Sequence, residues 1–352
     1  MMKLHSALGL TLSGLIVLSA AGIAKERDRV ASDFKNADAN HDGKLSREEW
    51  NRRGNFQRLD TDHDGALSLA EVRAMYAGHG NRSYDWPPKG FVRSASETDP
   101  SAAADLVEKS ALDRKTLCGI GRGRKCKAKP SIKRGLLATG LGPVFPKNAI
   151  CHGIDDTFGL DYGFKRSREA YHGGIDMPAR WGTPMIAAAA GTVVGKFRGE
   201  RSARGIEIVL RHAPADTGLA VWTYTQYAHM DKMPDLKVGA RVRLGETLGP
   251  TGNSGVSGKT RQQSTTRRPA IHFVAFFAET EKYANQRDII MPVDGRWMDP
   301  LALYRAKPPF DSQSLKAVSS GEKDVPVSVM FEDGAIFPAG AKIVWPYRCG
   351  RE

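Results

Sequence analysis

Three side chains in this 352-residue chain could share a metal ion. His172 and Asp176 lie four residues apart in His172-Gly-Gly-Ile-Asp176, and Ala270-Ile-His272 supplies a second imidazole far downstream. Two neutral imidazoles and one carboxylate fill three positions of a tetrahedral zinc site and leave the fourth open, as catalytic zinc requires. Zinc held in this way lowers the pKa of its water to about 7, which makes hydroxide available at neutral pH.

Strands must position these groups. Gly173 and Gly174 argue against a helix, and an extended chain returns side chains to one face every second residue, so His172 and Asp176 are expected on one strand face. His272 lies in an alternating apolar run over residues 271–277. Further strands are expected at 192–197, 205–210 and 221–227, joined by Gly-rich turns. Residues 151–306 therefore read as a mainly β domain. Residues 307–352 read as a C-terminal β extension, with 325–331 and 341–345 as a hairpin capped by Cys349.

The motifs along this domain resemble the LytM/lysostaphin-type zinc peptidases, peptidase family M23, over about residues 155–305. His172-Gly-Gly-Ile-Asp176 resembles the family's His-x-x-x-Asp motif, preceded by Asp156-Thr-Phe-Gly159 and Gly163-Phe164. The run from Gly182 to Val194, the segment Tyr224-Thr-Gln-Tyr-Ala-His229-Met, the Val238–Gly249 hairpin, Thr251-Gly-Asn-Ser-Gly255 and Asp299-Pro-Leu-Ala-Leu-Tyr304 follow in family order. The resemblance implies an antiparallel β-sheet fold. It also implies zinc ligands at His172, Asp176 and His272, a catalytic histidine at His229, and hydrolysis of peptide bonds in peptidoglycan cross-bridges. One position departs from the pattern. The family has His-x-His where this chain has Ala270-Ile-His272, so one catalytic imidazole is missing. Losing a positioned acid–base group costs roughly 10²–10⁴-fold in rate. The alternative is a weakened or inactive module that binds peptidoglycan or regulates a cell-wall hydrolase. Tyr224, Tyr227, Arg267 and Arg268 are candidate substitutes. His212 is expected to support the fold, and His152 is a poor ligand candidate.

Two acidic loops precede this domain. Asp38, Asn40, Asp42, Lys44 (through its carbonyl), Ser46 and Glu49 occupy positions 1, 3, 5, 7, 9 and 12 of a twelve-residue calcium loop. Asp60, Asp62, Asp64, Ala66, Ser68 and Glu71 repeat the pattern. Gly43 and Gly65 stand where the sharp turn falls. This resembles an EF-hand pair over residues 25–80, small and α-helical, with Leu45 and Leu67 bonding the loops through a short strand. The segment 50–59 must serve as exit helix of one loop and entrance helix of the other.

Residues 1–24 read as a secretory signal peptide: Met1-Met-Lys3, an apolar run over 7–18, then small residues. The run is shorter than the ~20 residues a spanning helix needs, so no stable transmembrane anchor is expected. The protein is accordingly expected in the periplasm or outside the cell, where disulfides persist. Cys118 is expected to pair with Cys126, and Cys151 with Cys349. The formal charge of +13 suits anionic cell-envelope polymers better than nucleic acid in that compartment. Residues 81–150 read as a linker or prosegment, with a short helix near 105–112 and a basic cluster at 122–129.

Overall fold

The computed structural model describes residues 31–352 except 33, 51–55, 61–63, 78–83, 90, 92, 94–96, 123–125, 155–161, 166–167, 258–261 and 264–266. The signal segment, Asp62, the segment 156–159 and parts of the basic cluster and of the 257–268 loop lie outside the described residues. The chain is mainly strands with a few short helices.

A seven-stranded antiparallel sheet organises the molecule. Its strands are β1 (Ile175–Pro178), β2 (Gly191–Phe197), β3 (Ile206–His212), β4 (Trp222–Met230), β5 (Arg241–Val242), β6 (Ala270–Ala278) and β7 (Arg296–Met298). They run in the order β5-β2-β3-β4-β6-β7. The free edge of β6 is shared: β1 pairs with its first half and β7 with its second. Each of the four apolar runs expected in this domain is one of these strands: β2 begins one residue earlier, β3 and β4 begin one residue later and end two and three residues later, and β6 gains one residue at each end. All nine residues of β6 are buried, so this strand is covered on both faces, and its near-continuous apolar character reflects that.

Within the stretch 81–150, expected to be a linker or prosegment, residues from Ala102 onward contribute to the core of the sheet domain. Ala102, Leu112, Ile120, Leu136 and Leu141 share one apolar core with Phe273, Phe276 and Trp297. In place of a helix over 105–112, a helix at Pro100–Ala104 is followed by a bridge from Leu106 to Tyr283 and a short 3₁₀ turn at Lys109–Ala111. Asp99 caps the first helix by accepting from Ser101 N, and Pro100 at its first position starts it at that point. The buried Arg211 of β3 clamps this segment to the sheet through Asp105 at 2.6 Å and Ser101 Oγ at 2.8 Å. Asp105 neutralises a guanidinium that would be costly to bury alone.

The tail differs from the expected hairpin. Asp324–Pro326 pairs in parallel with Gly142–Val144. Val329–Met330 pairs with Ile336–Phe337, and residues 341–345 form no strand. Ile343, Val344 and Trp345 instead pack inward. Val344 N donates to Ala188 O at 2.7 Å, Trp345 Nε1 donates to His152 O at 2.6 Å, and Trp345 is fully buried. Both expected disulfides are present, and Cys151–Cys349 joins the tail to the front of the domain.

In the acidic region, Lys44–Leu45 and Leu67–Ser68 pair antiparallel with Leu45 opposite Leu67. Phe34, Leu45, Trp50, Phe56, Leu59, Leu67 and Val72 form a separate small core. Leu69–Ala77 is the helix leaving the second loop. Among the described residues no helix is long and apolar enough to cross a membrane.

Candidate metal centre

Register places two of the three expected ligands. His272 on β6 stands opposite Asp176 on β1, and cross-strand neighbours share a face. His272 Nδ1 lies 2.8 Å from Asp176 Oδ1. His172 arrives by a different route from the one expected. It precedes β1 and is turned in by Gly173 at φ +87°, so a turn and not strand alternation brings it over Asp176. Its Nε2 lies 3.2 Å from Asp176 Oδ2. A Cβ on Gly174 would sit 2.6 Å from His272 Cε1, which explains the second glycine: the chain passes too close to the imidazole for any side chain. The three ligand atoms lie within 4.8 Å of one another, and all three residues are buried. They are the only group of His, Cys, Asp and Glu of that dimension among the described residues.

The centre already attracts a cation. Lys165, on the strand Phe164–Lys165, places its Nζ 2.7 Å from Asp176 Oδ2 and 3.2 Å from His172 Nε2. An ammonium therefore sits where the ligand atoms converge, and the donor set is that of zinc. Burial pushes His272 down to about 4, which keeps its imidazole neutral as a ligand must be. The carboxyl of Asp176 is held well below its usual range: burial opposes ionisation, but Lys165 and the two histidines outweigh it.

His229 joins the group through a backbone irregularity. Ala228 is opposite His272 on β4, and strict alternation would send the next side chain to the other face. His229 instead has φ +66°, a left-handed conformation uncommon outside glycine. The ring lies 5.7 Å, centroid to centroid, from that of His272. Burial, then Arg267, hold its pKa well below the ordinary value, so the imidazole is neutral. Its tautomer follows from a proton count. Arg267 Nη1 lies 2.7 Å from Ser254 O and 3.0 Å from Ala203 O. Its two protons go to these carbonyls, although Nη1 also lies 3.0 Å from His229 Nδ1. His229 Nδ1, 2.9 Å from Ser254 O, therefore donates to that carbonyl. The proton is on Nδ1, and Nε2 is left as an acceptor.

Ala270 is buried on the same strand as His272, and no imidazole stands in its place. Tyr224 and Tyr227, considered as substitutes, are fully buried. Tyr224 donates to Glu281 O at 3.0 Å, and Tyr227 Oη accepts from Ala188 N at 2.8 Å. Burial pushes both phenols far up, so neither can take the lost role. Arg268 is buried. His212 supports the fold: Nδ1 donates to Ala190 O at 2.6 Å and Nε2 accepts from Thr225 Oγ1 at 2.7 Å. The His152 ring lies 4.8 Å from that of Tyr347, tilted by 53°.

Sequence reasoning missed Lys165 and Arg122. Arg122 donates to the carbonyls of Ala170, Tyr171 and His172 at 3.3, 2.6 and 2.9 Å, gripping the chain that carries His172. Arg122 was visible only as part of the basic cluster at 122–129, within the short loop closed by Cys118–Cys126.

In the acidic loops, Asp38 accepts from the backbone of Asp42 and Gly43, and Asp60 accepts from Asp64 and Gly65. Ser46 N and Ser68 N donate to Glu49 and Glu71. Asn40 Oδ1 accepts from Asp42 N. Lys44 reaches across to Asp64 at 2.6 Å.

The family model for peptidase family M23 matches residues 170–283, and that for the EF hand matches residues 32–52 and 56–76. The chain therefore carries an M23 peptidase domain behind two EF-hand motifs. Solved structures overlap it in part. LytU is 26% identical, covering 35% of this chain and 72% of its own, with TM-score 0.27. A catalytic-domain variant of the prophage-encoded M23 protein EnpA from Enterococcus faecalis is 28% identical over 33% and 75%, TM-score 0.25. The catalytic domain of the antimicrobial peptidase lysostaphin from Staphylococcus simulans is 26% identical over 30% and 67%, TM-score 0.24. No curated protein matches the chain.

Proposed function

We propose that the chain is an exported zinc metalloendopeptidase that hydrolyses peptide bonds in peptidoglycan cross-bridges. The observation that carries this reading is the convergence of His172, Asp176 and His272 within 4.8 Å, on a centre that already holds an ammonium, in a domain of peptidase family M23. His172, Asp176 and His272 would hold zinc once Lys165 moves aside. When bound, zinc supplies Lewis acidity and a water of lowered pKa.

The protein's own groups handle the proton. His229 can take one at Nε2 from an attacking water, because Nδ1 is committed to Ser254 O. It can return that proton to the departing amine. Burial, then Arg267, keep the imidazole neutral at rest, so its free nitrogen can accept a proton. Arg122 holds the backbone of residues 170–172 and so fixes the position of the first ligand. The EF-hand motifs would bind calcium through Asp38, Asn40, Asp42, Lys44, Ser46 and Glu49 and the corresponding groups of the second loop. Peptidoglycan peptides are the proposed partner.

A second reading rests on Ala270. With one imidazole absent and both nearby tyrosines locked in the core, the domain would bind peptidoglycan or regulate a hydrolase without cutting. Zinc-loaded protein incubated with purified peptidoglycan separates the two. New amino termini appearing in wild type but not in His172→Ala support the peptidase. Retention on the polymer without new termini supports the binding module.

A further inference from the structure

Arg122 reaches His172 from a loop that a disulfide closes. Cys118 and Cys126 are joined eight residues apart, and Arg122 stands at the midpoint of that loop. Its guanidinium donates to the carbonyls of residues 170–172 and lies over the Trp297 ring, 5.6 Å from the centroid. Both side chains close on the turn that presents His172. A Cβ on Gly173 would sit 2.7 Å from Trp297 Cη2 and 2.8 Å from Arg122 Nη1. Trp297 is tied to the same loop, since its Nε1 donates to Gly119 O at 2.8 Å. Arg122 has φ +50°, a left-handed conformation uncommon outside glycine, which persists where the surrounding chain imposes it.

The two disulfides differ in access. Cys118 and Cys126 are half-buried, whereas Cys151 and Cys349 are buried. Lys127 follows Cys126 directly and is exposed. Thiol–disulfide exchange needs an approach path for the attacking thiolate, and it runs faster when a cation lowers the pKa of the leaving thiol. The short loop is therefore the one that a reductant opens first. Its closure also contributes less stability than that of the long loop. Beneath it, Arg134 keeps the flanking helices Arg114–Gly119 and Ala128–Lys133 together. Arg134 bonds Asp113 at 3.2 Å and Thr116 Oγ1 at 2.9 Å, so opening is confined to the tip that carries Arg122.

We propose that the Cys118–Cys126 disulfide is a thiol-sensitive clamp on the metal centre. Closed, it holds Arg122 and Trp297 against the turn at Gly173, and His172 faces Asp176. A dithiol opens it by exchange: the sulfur–sulfur bond breaks, the two cysteines gain two electrons and two protons, and the dithiol becomes a disulfide. Arg122 then loses its fixed position, and the centre binds metal less tightly. A chain whose thiols are still reduced is poor in metal, and oxidation completes the centre. The inference rests on His172 being a zinc ligand but concerns what sets its affinity.

The test uses the full mature chain, oxidised and metal-free at the start. Graded dithiothreitol, a quench with iodoacetamide and peptide mapping show which pair opens, and gel filtration removes the reagents before zinc is added. Cys118 and Cys126 should be alkylated at a lower reductant concentration than Cys151 and Cys349. Competition with a chromophoric chelator should give a zinc affinity about 10–100-fold lower in that species, in C118A/C126A and in R122Q, the loss expected when a group that orients a ligand is removed. Combining R122Q with C118A/C126A should cost no more than the larger single loss, because both act through one contact. C151A/C349A should lose more melting temperature than C118A/C126A and yet keep wild-type zinc affinity, which a merely structural role of the short loop would not produce. Unchanged affinity in either the alkylated species or C118A/C126A, earlier opening of Cys151–Cys349, or losses that simply multiply would overturn the proposal. Should a variant fail to fold, the alkylated parent protein decides, with amide hydrogen exchange at residues 170–174 as a second readout. Gly173 N donates to Tyr162 O at 2.7 Å and should exchange faster once the loop is open; unchanged exchange would overturn the clamp. The outcomes stay separate from the zinc reading. A parent protein that binds no zinc sinks that reading, while exchange at 170–174 still tests the clamp. A parent protein that binds zinc equally well with the loop open and closed sinks the clamp alone.

Discussion

Gly174→Ala tests how tightly the metal centre is built. A Cβ at this position would lie 2.6 Å from His272 Cε1, 2.8 Å from its Nε2 and 2.8 Å from Phe273 O. Ordinary contact begins at 3.4 Å, so the imidazole must retreat by about 0.8 Å, or the chain must shift by as much. Zinc–nitrogen distances tolerate about 0.2 Å, so the displacement is roughly four times what a ligand can absorb. Small losses of ligand orientation cost about 10–100-fold in metal affinity, which is about 1.4–2.8 kcal/mol. Overpacking against the Phe273 carbonyl adds about 1–3 kcal/mol of fold destabilisation. Competition with a chromophoric chelator gives the zinc affinity, and thermal melting followed by circular dichroism gives the stability. Gly321→Ala serves as the control, because a Cβ there meets nothing within 4 Å. Wild-type zinc affinity in the Gly174→Ala protein would show that His272 is not a ligand and refute the assignment.

Other outcomes follow from the same contacts. His212 is buried with its pKa pushed down to about 4 from 6.5. Its folded pKa is depressed, so the unfolded chain binds the extra proton first. Its contribution is complete above pH 6.5 and is lost as pH falls toward 4, about 3 kcal/mol in all. Urea melts at pH 7 and pH 4.5 should show this loss, and it should shrink in His212→Gln. Lys165→Met removes the ammonium that competes for Asp176 and His172; zinc affinity in the chelator assay should rise by about tenfold, and an unchanged affinity would remove Lys165 from the centre. Cys151 and Cys349 lie 198 residues apart and Cys118 and Cys126 only 8. Chain-entropy arguments give about 5 kcal/mol for the long loop and about 2–3 for the short one. Replacing the Cys151–Cys349 pair with alanines should therefore lower the melting temperature more than replacing the other pair.

The sequence held much of this in readable form, and the limits have physical causes. Short apolar runs bounded by Gly-rich turns marked β2, β3, β4 and β6, because these strands are buried along most of their length and only apolar or hydrogen-bonded side chains fit there. His172, Asp176 and His272 were recognisable because few residue types bind zinc and their spacing fits one sheet. The route of His172 was misread: glycine permits an extended chain and a left-handed turn equally, and only packing against Trp297 and His272 selects the turn at Gly173. Residues 81–150 looked like a linker because their apolar residues are sparse, yet Arg211 and the sheet face supply partners that no local pattern reveals. The tail failed as a hairpin because residues 341–345 satisfy their backbone against Ala188 and Ser328 instead of each other. Lys165 left no pattern and Arg122 showed only as one charge of a basic cluster, since a cation looks the same on a solvated face and beside a metal centre. The turn of His229 toward His272 depends on one backbone angle, which side-chain identity does not encode.

The central claim is that this centre binds zinc and that His229 uses it to cut peptide bonds in peptidoglycan. The most direct measurement is the release of new amino termini from purified peptidoglycan by zinc-loaded wild type, by the same protein after chelation, and by His229→Ala with zinc restored. The account predicts one zinc per chain in wild type and in His229→Ala. It predicts release by zinc-loaded wild type alone, with the His229→Ala rate lower by about 10²–10⁴-fold. Stoichiometric zinc without any release from wild type, or equal release from wild type and His229→Ala, would contradict it.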